Sequence, residues 1–485
     1  MPTLQRIKDV TLVALQNYPE IAARYAAGDP TVSAQINAFL HVMSEMSRDI
    51  ETSELEPFIK SREATILADA TNKGILPFAV PTKHLIEIIN QHNAPMVLQS
   101  NRVFMDGQGR PWRLLQHAEI PANGSAEILA EQSEIRQLDY VSISSEPFHQ
   151  YKLLIQDDLH LVRLSVRDQD QNQYHFITRW MNAKAGDYAV TLKTDTLRGI
   201  TMEFGDSNSF GRTLEANTRL TIDVIESFGY LDPSVLKEAM LDEIQTANES
   251  KLILKFKTNG LVSMGADPLS VDQMRLLASY PTHDANAVFL GDFDFLVRKN
   301  FMARTNYLNV WNEAIHERYF GASIDNINHL FVSFMPKHPN ETATLREEIG
   351  RLITMADSLY SGHNTVFVDV EPRVFQVQIQ GTLAPSHNKE LVEEQIRTLL
   401  LSNYGREKIA TSYHLSDGFN LQEIIKLINQ NIVAFQDRQS DFRIYTEDLT
   451  DNPVKPNQWL YMDESSITFN FQRSSGLGGG MWTVV

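Results

Sequence analysis

The clearest fold signal in this sequence is GITMEFGDSNSFGRTLEANTRLTIDVIES, residues 199–227. Apolar residues alternate with polar ones on both sides of a Gly-Asp-Ser-Asn-Ser turn, which predicts two strands that pack on one face and are joined by a loop. Gly205 and Gly211 supply backbone freedom at the turn, and Asp206 can hydrogen-bond nearby main chain. On these local features alone, an ordinary β-hairpin accounts for the stretch.

The composition is typical of a soluble protein with several domains. A length of 485 residues exceeds what one hydrophobic core supports, so we expect about two to four domains. The formal charge of −18, without a block of Lys or Arg, argues against a nucleic-acid partner. The absence of cysteine excludes disulfides and thiolate metal sites. The N-terminus, MPTLQRIKDV, has no signal-peptide pattern and no apolar run is long enough to span a bilayer, so we expect an unprocessed chain with no membrane partner.

The N-terminal region predicts helices, one of which carries a long apolar face. Asp29 is a good N-cap residue and Pro30 is favoured at the first helical position, so a helix should run over residues 30–51. Its apolar residues recur at spacings of 4, 3, 4, 3 and 4, which is a heptad pattern. This seam could pack on a partner helix or on the chain's own helices, at residues 4–27 and 62–76, and both interpretations remain open. The seam consists of Val32, Ile36, Phe39, Met43, Met46 and Ile50.

The middle of the chain predicts strands and turns between residues 95 and 180. Asp168, Asp170 and Asn172 have the spacing that begins a calcium loop. Such a loop also needs Gly at its sixth position and Glu at its twelfth, where this chain has Gln173 and Arg179. We therefore interpret the segment as an exposed polar turn.

The C-terminal half predicts a mixture of helices and strands. A helix is expected over residues 231–248, and further helices should follow a cap at Ser270 and a segment at residues 286–295. Beyond them, an order of strand, helix, strand, strand, helix predicts a split βαβ unit. Its elements should cover residues 329–335, 341–360, 365–370, 374–383 and 388–404.

No catalytic constellation emerges from the sequence. The fourteen histidines are scattered, and neither a His-Glu-x-x-His motif nor a Gly-x-Ser-x-Gly elbow is present. The glycine-rich tail, SSGLGGGMW, is followed by no helix and so does not fit a phosphate loop. We expect no catalytic, cofactor-binding or metal-ligating residues, and therefore no enzymatic activity.

Several motifs resemble the baseplate J-like family, the wedge subunits of contractile phage tail baseplates. Phe204-Gly205-Asp206 followed by Phe210-Gly211 resembles the family's FGD…FG segment, and VFMDGQGRPWR…IPANGSAEI, starting at Val103, resembles its small β unit. The order of elements over residues 231–295 is also similar, although Asn286 and Phe289 replace the family's basic and Thr residues. The similarity covers most of residues 30–410.

The resemblance implies an α+β multidomain fold with an N-terminal helical segment, a β-rich middle domain and a C-terminal α+β, split βαβ-like region. We expect boundaries that give regions 1–90, 91–231, 232–325 and 326–485. It further implies a structural subunit, with at least two copies per wedge, that binds other wedge, hub or sheath-initiating tail proteins. Such a protein would be assembled in the host cytoplasm and lie in the virion tail baseplate. The alternative is a tail-associated hydrolase or carbohydrate-binding protein that uses the β-rich domain.

Overall fold

The computed structural model describes residues 4–15, 17–55, 62–156, 158–280, 290–356, 364–436, 439–450 and 452–473. The chain divides into two compact units, Met1–Asp69 and Ala70–Val485. The helices of these residues are α1 (Leu4–Leu15), α2 (Pro19–Ala26), α3 (Pro30–Leu55), α4 (Glu63–Asn72), α5 (Val271–Ala278), α6 (Leu290–Phe301), α7 (Glu313–Phe320), α8 (Thr342–Ala356), α9 (Lys389–Tyr404) and α10 (Leu421–Asn431).

The strands fall into a barrel and several sheets, all in the second unit. They are β1 (Lys83–Asn90), β2 (Met96–Leu98), β3 (Val103–Asp106), β4 (Pro111–Leu114), β5 (Ala118–Ile120), β6 (Ser125–Glu131), β7 (Glu134–Val141), β8 (Gln150–Leu154), β9 (His160–Asp168), β10 (Gln173–Ile177), β11 (Ala189–Thr196), β12 (Gly199–Phe204), β13 (Arg219–Ser227), β14 (Glu238–Leu241), β15 (Leu252–Ser263), β16 (Thr305–Asn312), β17 (His329–Pro336), β18 (Asn364–Phe367), β19 (Glu371–Val374), β20 (Val377–Leu383), β21 (Asp441–Thr446), β22 (Gln458–Tyr461) and β23 (Ile467–Arg473). The mixed α+β, multidomain fold class predicted from the sequence is confirmed.

The N-terminal unit is built on α3, whose start is fixed by the predicted cap. The Asp29 carboxylate accepts the backbone N–H groups of Thr31 and Val32 at 3.0 and 3.3 Å. Its other oxygen accepts the Arg24 guanidinium at 2.7 Å. The side-chain hydrogen bond from Arg24, with the bond from Val32, lowers the pKa of Asp29. α1 and α2 contact α3 and each other.

Six strands form a closed barrel in the order β1-β15-β14-β3-β4-β6. Its core includes Phe104, Trp112 and Phe256, with the rings of the last two 4.9 Å apart. The helix expected over residues 231–248 is wrong. That stretch holds a short 3₁₀ turn and then β14, whose Ala239 is buried between β15 and β3. Closing the barrel supplies hydrogen-bond partners on both sides of β14, which local sequence could not show.

A seven-stranded sheet, β7-β13-β9-β10-β11-β12-β8, is inserted into the barrel between β6 and β14. The predicted strands around the motif are present as β12 and β13, but the hairpin is wrong. β12 pairs with β11 and β8, whereas β13 pairs with β7 and β9. The expected polar turn after β9 is present and its residues 169–171 are exposed. Asp168, at its start, is instead buried and accepts the backbone N–H groups of Asp170 and Asn172 at 2.9 and 2.8 Å.

The C-terminal part contains smaller sheets covered by helices. β17, α8 and β18 form a βαβ unit with parallel strands, and β16 joins the same sheet antiparallel to β17. The rest of the predicted split βαβ unit is wrong, because the expected strand over residues 374–383 is divided. β19 pairs with β22, whereas β20 lies between β21 and β23 in another sheet. Residues 286–289, part of a segment predicted to open a helix, and residues 474–482, the glycine-rich tail, lie outside the described residues.

Candidate assembly surfaces

The seam of α3 is partly open to solvent. Phe39, Met43 and Met46 are exposed over 58%, 38% and 52% of their surface. Val32 and Ile36 are half-buried, and the side chain of Ile50 lies outside the described part of the chain. Among the side chains described in α1, α2 and α3, only Leu40, beside the seam, is buried.

The seam therefore presents large apolar side chains that the first unit leaves uncovered. Val42 extends this face and is 57% exposed. Full burial of one side chain of this size contributes about 1.5–3 kcal/mol, so covering Phe39, Met43 and Met46 would give a substantial driving force for association. A helix with such a face is typical of partner-binding helices.

The second surface is the motif turn, residues 204–211, which follows β12. Phe204 is fully buried in the core of the seven-stranded sheet and packs edge-on against Tyr174, with ring centroids 5.4 Å apart. A Cβ on Gly205 would lie 2.4 Å from the Phe210 carbonyl oxygen and 2.6 Å from the Gly211 Cα. Gly205 is therefore required by the close approach of two backbone segments, and not only by turn flexibility.

Asp206 holds the turn closed. Its backbone N–H donates to the Phe210 carbonyl oxygen at 2.7 Å. Its carboxylate accepts the Ser209 hydroxyl at 2.6 Å and the Asn208 backbone N–H at 3.1 Å. The hydrogen bond from Ser209, followed by that from Asn208, lowers the pKa of Asp206, so the carboxylate stays ionised.

Gly211 completes the turn against an aromatic side chain. Its φ is +72°, in the left-handed region, and a Cβ there would lie 2.7 Å from Cζ3 of Trp180. Its backbone N–H donates to the Lys184 carbonyl oxygen at 2.9 Å, and its own carbonyl accepts the Gly186 N–H at 2.7 Å. The turn is thus tied to the segment between β10 and β11.

A charged cluster around Glu203 positions the indole that contacts the motif turn. Glu203, just before the motif, accepts Lys193 Nζ at 2.6 Å, Gln150 Nε2 at 2.7 Å and Trp180 Nε1 at 3.1 Å. Burial favours the neutral acid, but these donors outweigh it and lower the pKa of Glu203. The carboxylate therefore fixes the indole on which Gly211 packs.

Aromatic side chains lie on the exposed side of the motif turn. Phe210 is 40% exposed, and Phe148 is 38% exposed with a φ of +54° that is unusual for a bulky residue. The Phe148 N–H donates to the Gly205 carbonyl oxygen at 3.2 Å, and its ring meets Trp180 edge-on at 5.6 Å. Sequence reasoning missed Phe148 because nothing near it in the chain marks it as a neighbour of residue 205.

One cavity of the second unit is lined by charged and aromatic side chains. The cavity of about 370 Å³ is lined by residues that include Tyr230, Lys337, His338 and Glu341. Lys337 donates to the Ala303 carbonyl oxygen at 2.6 Å, and burial lowers its pKa. His338 stacks on Tyr230 with ring centroids 5.0 Å apart. Lys337 and His338 thus have structural partners within this cavity.

Two features of the described residues bear on metal binding and membranes. No group of three or more His, Asp or Glu side chains is placed to hold a metal ion within those residues. None of the helices that the structure describes is long and apolar enough to cross a membrane.

Comparison with known proteins gives only distant structural likeness. No protein-family model matches the sequence, and no curated protein matches it. One similar chain is from the cryo-EM structure of the anti-feeding prophage baseplate, with 11% identity, a TM-score of 0.29, and coverage of 95% of this chain and 90% of that chain. Another is from the type VI secretion system TssK-TssF-TssG baseplate subcomplex, with 7% identity, a TM-score of 0.30, and coverage of 70% and 96%. Both chains come from baseplate assemblies, and both TM-scores are below the range of chains that share a fold.

Proposed function

We propose that this chain is a structural subunit of a contractile tail baseplate. At least two copies form a wedge through their N-terminal helices, together with other wedge, hub or sheath-initiating proteins. The wedges join into a ring around the tail hub. The protein is not an enzyme in this proposal, and it acts in the virion tail baseplate after assembly in the host cytoplasm.

The observation that carries the proposal is the exposed apolar face of α3. Phe39, Met43 and Met46 lie on one heptad seam and remain exposed in the single chain. Leaving such a face in water favours association, and a second seam of the same kind covers it by knobs-into-holes packing. Repetition of moderate contacts around a ring then stabilises the whole assembly.

The resemblance of the motif turn to the wedge family is the second support. The turn is held by backbone proximity at Gly205 and Gly211, and those are the residues that the motif specifies. The glycines of the motif therefore have a defined steric role in this chain.

The proposal is tested by purifying the full chain with its native neighbouring proteins and measuring the mass and composition of the complex. Phe39→Asp should weaken the complex, because losing about 1.5–3 kcal/mol of burial lowers affinity about 10- to 150-fold. Asn37→Asp is the matched control, since Asn37 is exposed on the same helix and off the seam. It should leave the complex intact.

Two results would contradict the proposal. One is a monodisperse monomer recovered in the presence of all neighbouring proteins. The other is a complex in which Phe39→Asp and Asn37→Asp behave alike. In either case the seam is not a partner interface.

A further inference from the structure

The connection between the barrel and the seven-stranded sheet is a buried polar joint. The sheet is inserted into the barrel, so the chain crosses between them twice, after β6 and after β13. At these crossings the polar side chains are at most 1% exposed, which is unusual for such groups. The joint consists of Glu131, Gln132, Ser133, Glu226 and Ser227.

Glu131 connects the two bodies through one carboxylate oxygen. Its Oε1 accepts Arg113 Nη2 at 3.0 Å and Arg163 Nη2 at 2.9 Å. Arg113 belongs to barrel strand β4, whereas Arg163 belongs to β9 of the sheet. The Ser133 hydroxyl also donates to this oxygen, at 3.0 Å. The carboxylate is therefore held from both sides of the joint.

Gln132 ties the first crossing to the second. Its side-chain amide donates to the carbonyl oxygen of Pro111 in the barrel at 3.2 Å. Its side-chain oxygen accepts the Ser227 hydroxyl at 2.6 Å and the Phe228 N–H at 2.9 Å. Its backbone N–H donates to the Thr82 carbonyl oxygen at 2.8 Å. These bonds join Gln132 both to the barrel and to the second crossing.

A second charge pair continues the joint into the sheet. Arg136 on β7 donates to both carboxylate oxygens of the buried Glu226 on β13, at 2.7 and 3.0 Å. Buried ion pairs often stabilise a fold no better than apolar residues of the same volume, because charges lose their hydration. Their directional bonds favour one relative orientation of the groups that they join.

We propose that this joint locks the barrel and the seven-stranded sheet into one rigid body, so that a displacement of either is transmitted to the other. The inference is independent of the proposed assembly role, since it concerns the two bodies within one chain. Arg163 is the residue through which the sheet contacts the shared carboxylate. Its side chain is half exposed, so it can be changed without opening the barrel core.

The experiment measures the distance between the two bodies in the full chain. The sequence has no cysteine, so Thr258→Cys in β15 and Ala216→Cys in the turn that precedes β13 give two unique spin-label positions, both exposed. Pulsed electron–electron double resonance then gives the distribution of distances between the two spin labels. The otherwise unchanged chain should show one narrow distribution.

Two variants of the joint should broaden this distribution. Glu131→Gln removes the shared charge at nearly constant volume, and Arg163→Met removes the contact from the sheet. For each we expect a distribution about twofold wider, and about tenfold faster exchange of the Phe228 amide hydrogen, because the joint opens locally. Asp223→Asn is the matched control, because it breaks the 2.8 Å pair with Arg167 inside the sheet and away from the joint. It should leave the distribution unchanged.

The proposal is overturned by a broad distribution in the chain that carries only the labels. It is also overturned if Arg163→Met keeps the narrow distribution and the slow exchange. If Glu131→Gln does not fold, the Arg163→Met result decides, since that variant leaves the buried Arg113–Glu131 pair in place. A broader distance distribution in Asp223→Asn would also contradict the proposal. The broadening would then come from motion within the sheet and not from the joint.

Discussion

The sharpest test of how the motif turn works is Gly205→Ala. The new Cβ would lie 2.4 Å from the Phe210 carbonyl oxygen, 2.6 Å from the Gly211 Cα and 2.8 Å from the Arg212 backbone nitrogen. All three are main-chain atoms, so no side chain can rotate away to relieve the contact. The two backbone segments must separate, which weakens the 2.7 Å hydrogen bond from Asp206 to Phe210.

The expected cost follows from this crowding. Overpacking a tightly packed site costs about 1–3 kcal/mol in the free energy of unfolding. At about 2–4 °C per kcal/mol, the transition that unfolds the sheet should fall by about 2–12 °C in scanning calorimetry. Gly107→Ala is the control, since a Cβ there meets nothing within 4 Å. Its effect should stay within about 0.5 kcal/mol.

The result that refutes this reasoning is a Gly205→Ala protein as stable as the parent, with unchanged exchange of the Asp206 amide hydrogen. The glycine would then serve only turn flexibility. A loss of stability equal to that of Gly107→Ala would lead to the same conclusion, because the close approach would have no special cost.

Two further predictions concern the C-terminal half. Burial, with a smaller contribution from Arg298, lowers the pKa of His414 to about 4. The unfolded chain therefore binds a proton at a higher pH than the folded chain, so up to about 3 kcal/mol of stability should be lost as the pH falls from about 6.5 to 4. His414→Leu should remove this part of the pH dependence in denaturant titrations, and an unchanged slope would contradict the assignment. Glu341→Gln should cost about 1.5–3 kcal/mol, because it removes the charge of the buried 2.6 Å pair with Arg304, which keeps Glu348 as its second partner. Glu347→Gln, in an exposed pair, should cost under about 1 kcal/mol, and equal losses in the two variants would refute the distinction.

The N-terminal helix shows what local sequence can predict. The Asp29-Pro30 cap and the heptad spacing depend on residues within a few turns of one another, and the structure places α3 where they indicate. The same spacing says which side chains share a face. It does not say what covers that face, since a helix of the same chain and a helix of a partner require the same spacing.

In the β region, the sequence predicts strands but not which strands pair. Alternation along residues 200–204 and 220–224 correctly predicts the strands β12 and β13. Buried positions alternate along most of β13, whereas five of the six residues of β12 are buried. Sequence neighbours usually pair, so a hairpin was the natural expectation. The structure instead gives each strand two other partners within the same sheet. Partner choice depends on the whole sheet, and alternation carries no information about it.

The sequence by itself determined the mixed α+β class, the helix cap, the apolar seam and the glycines of the motif turn, because each depends on short-range sterics or on the period of one element. Only the tertiary structure decided that β14 is a strand, that the seven-stranded sheet is inserted into the barrel, and that Glu131 meets Arg113 and Arg163. Those features bring together residues far apart in the chain. Burial and hydrogen bonding between such residues are properties of the folded packing, and no local pattern encodes them.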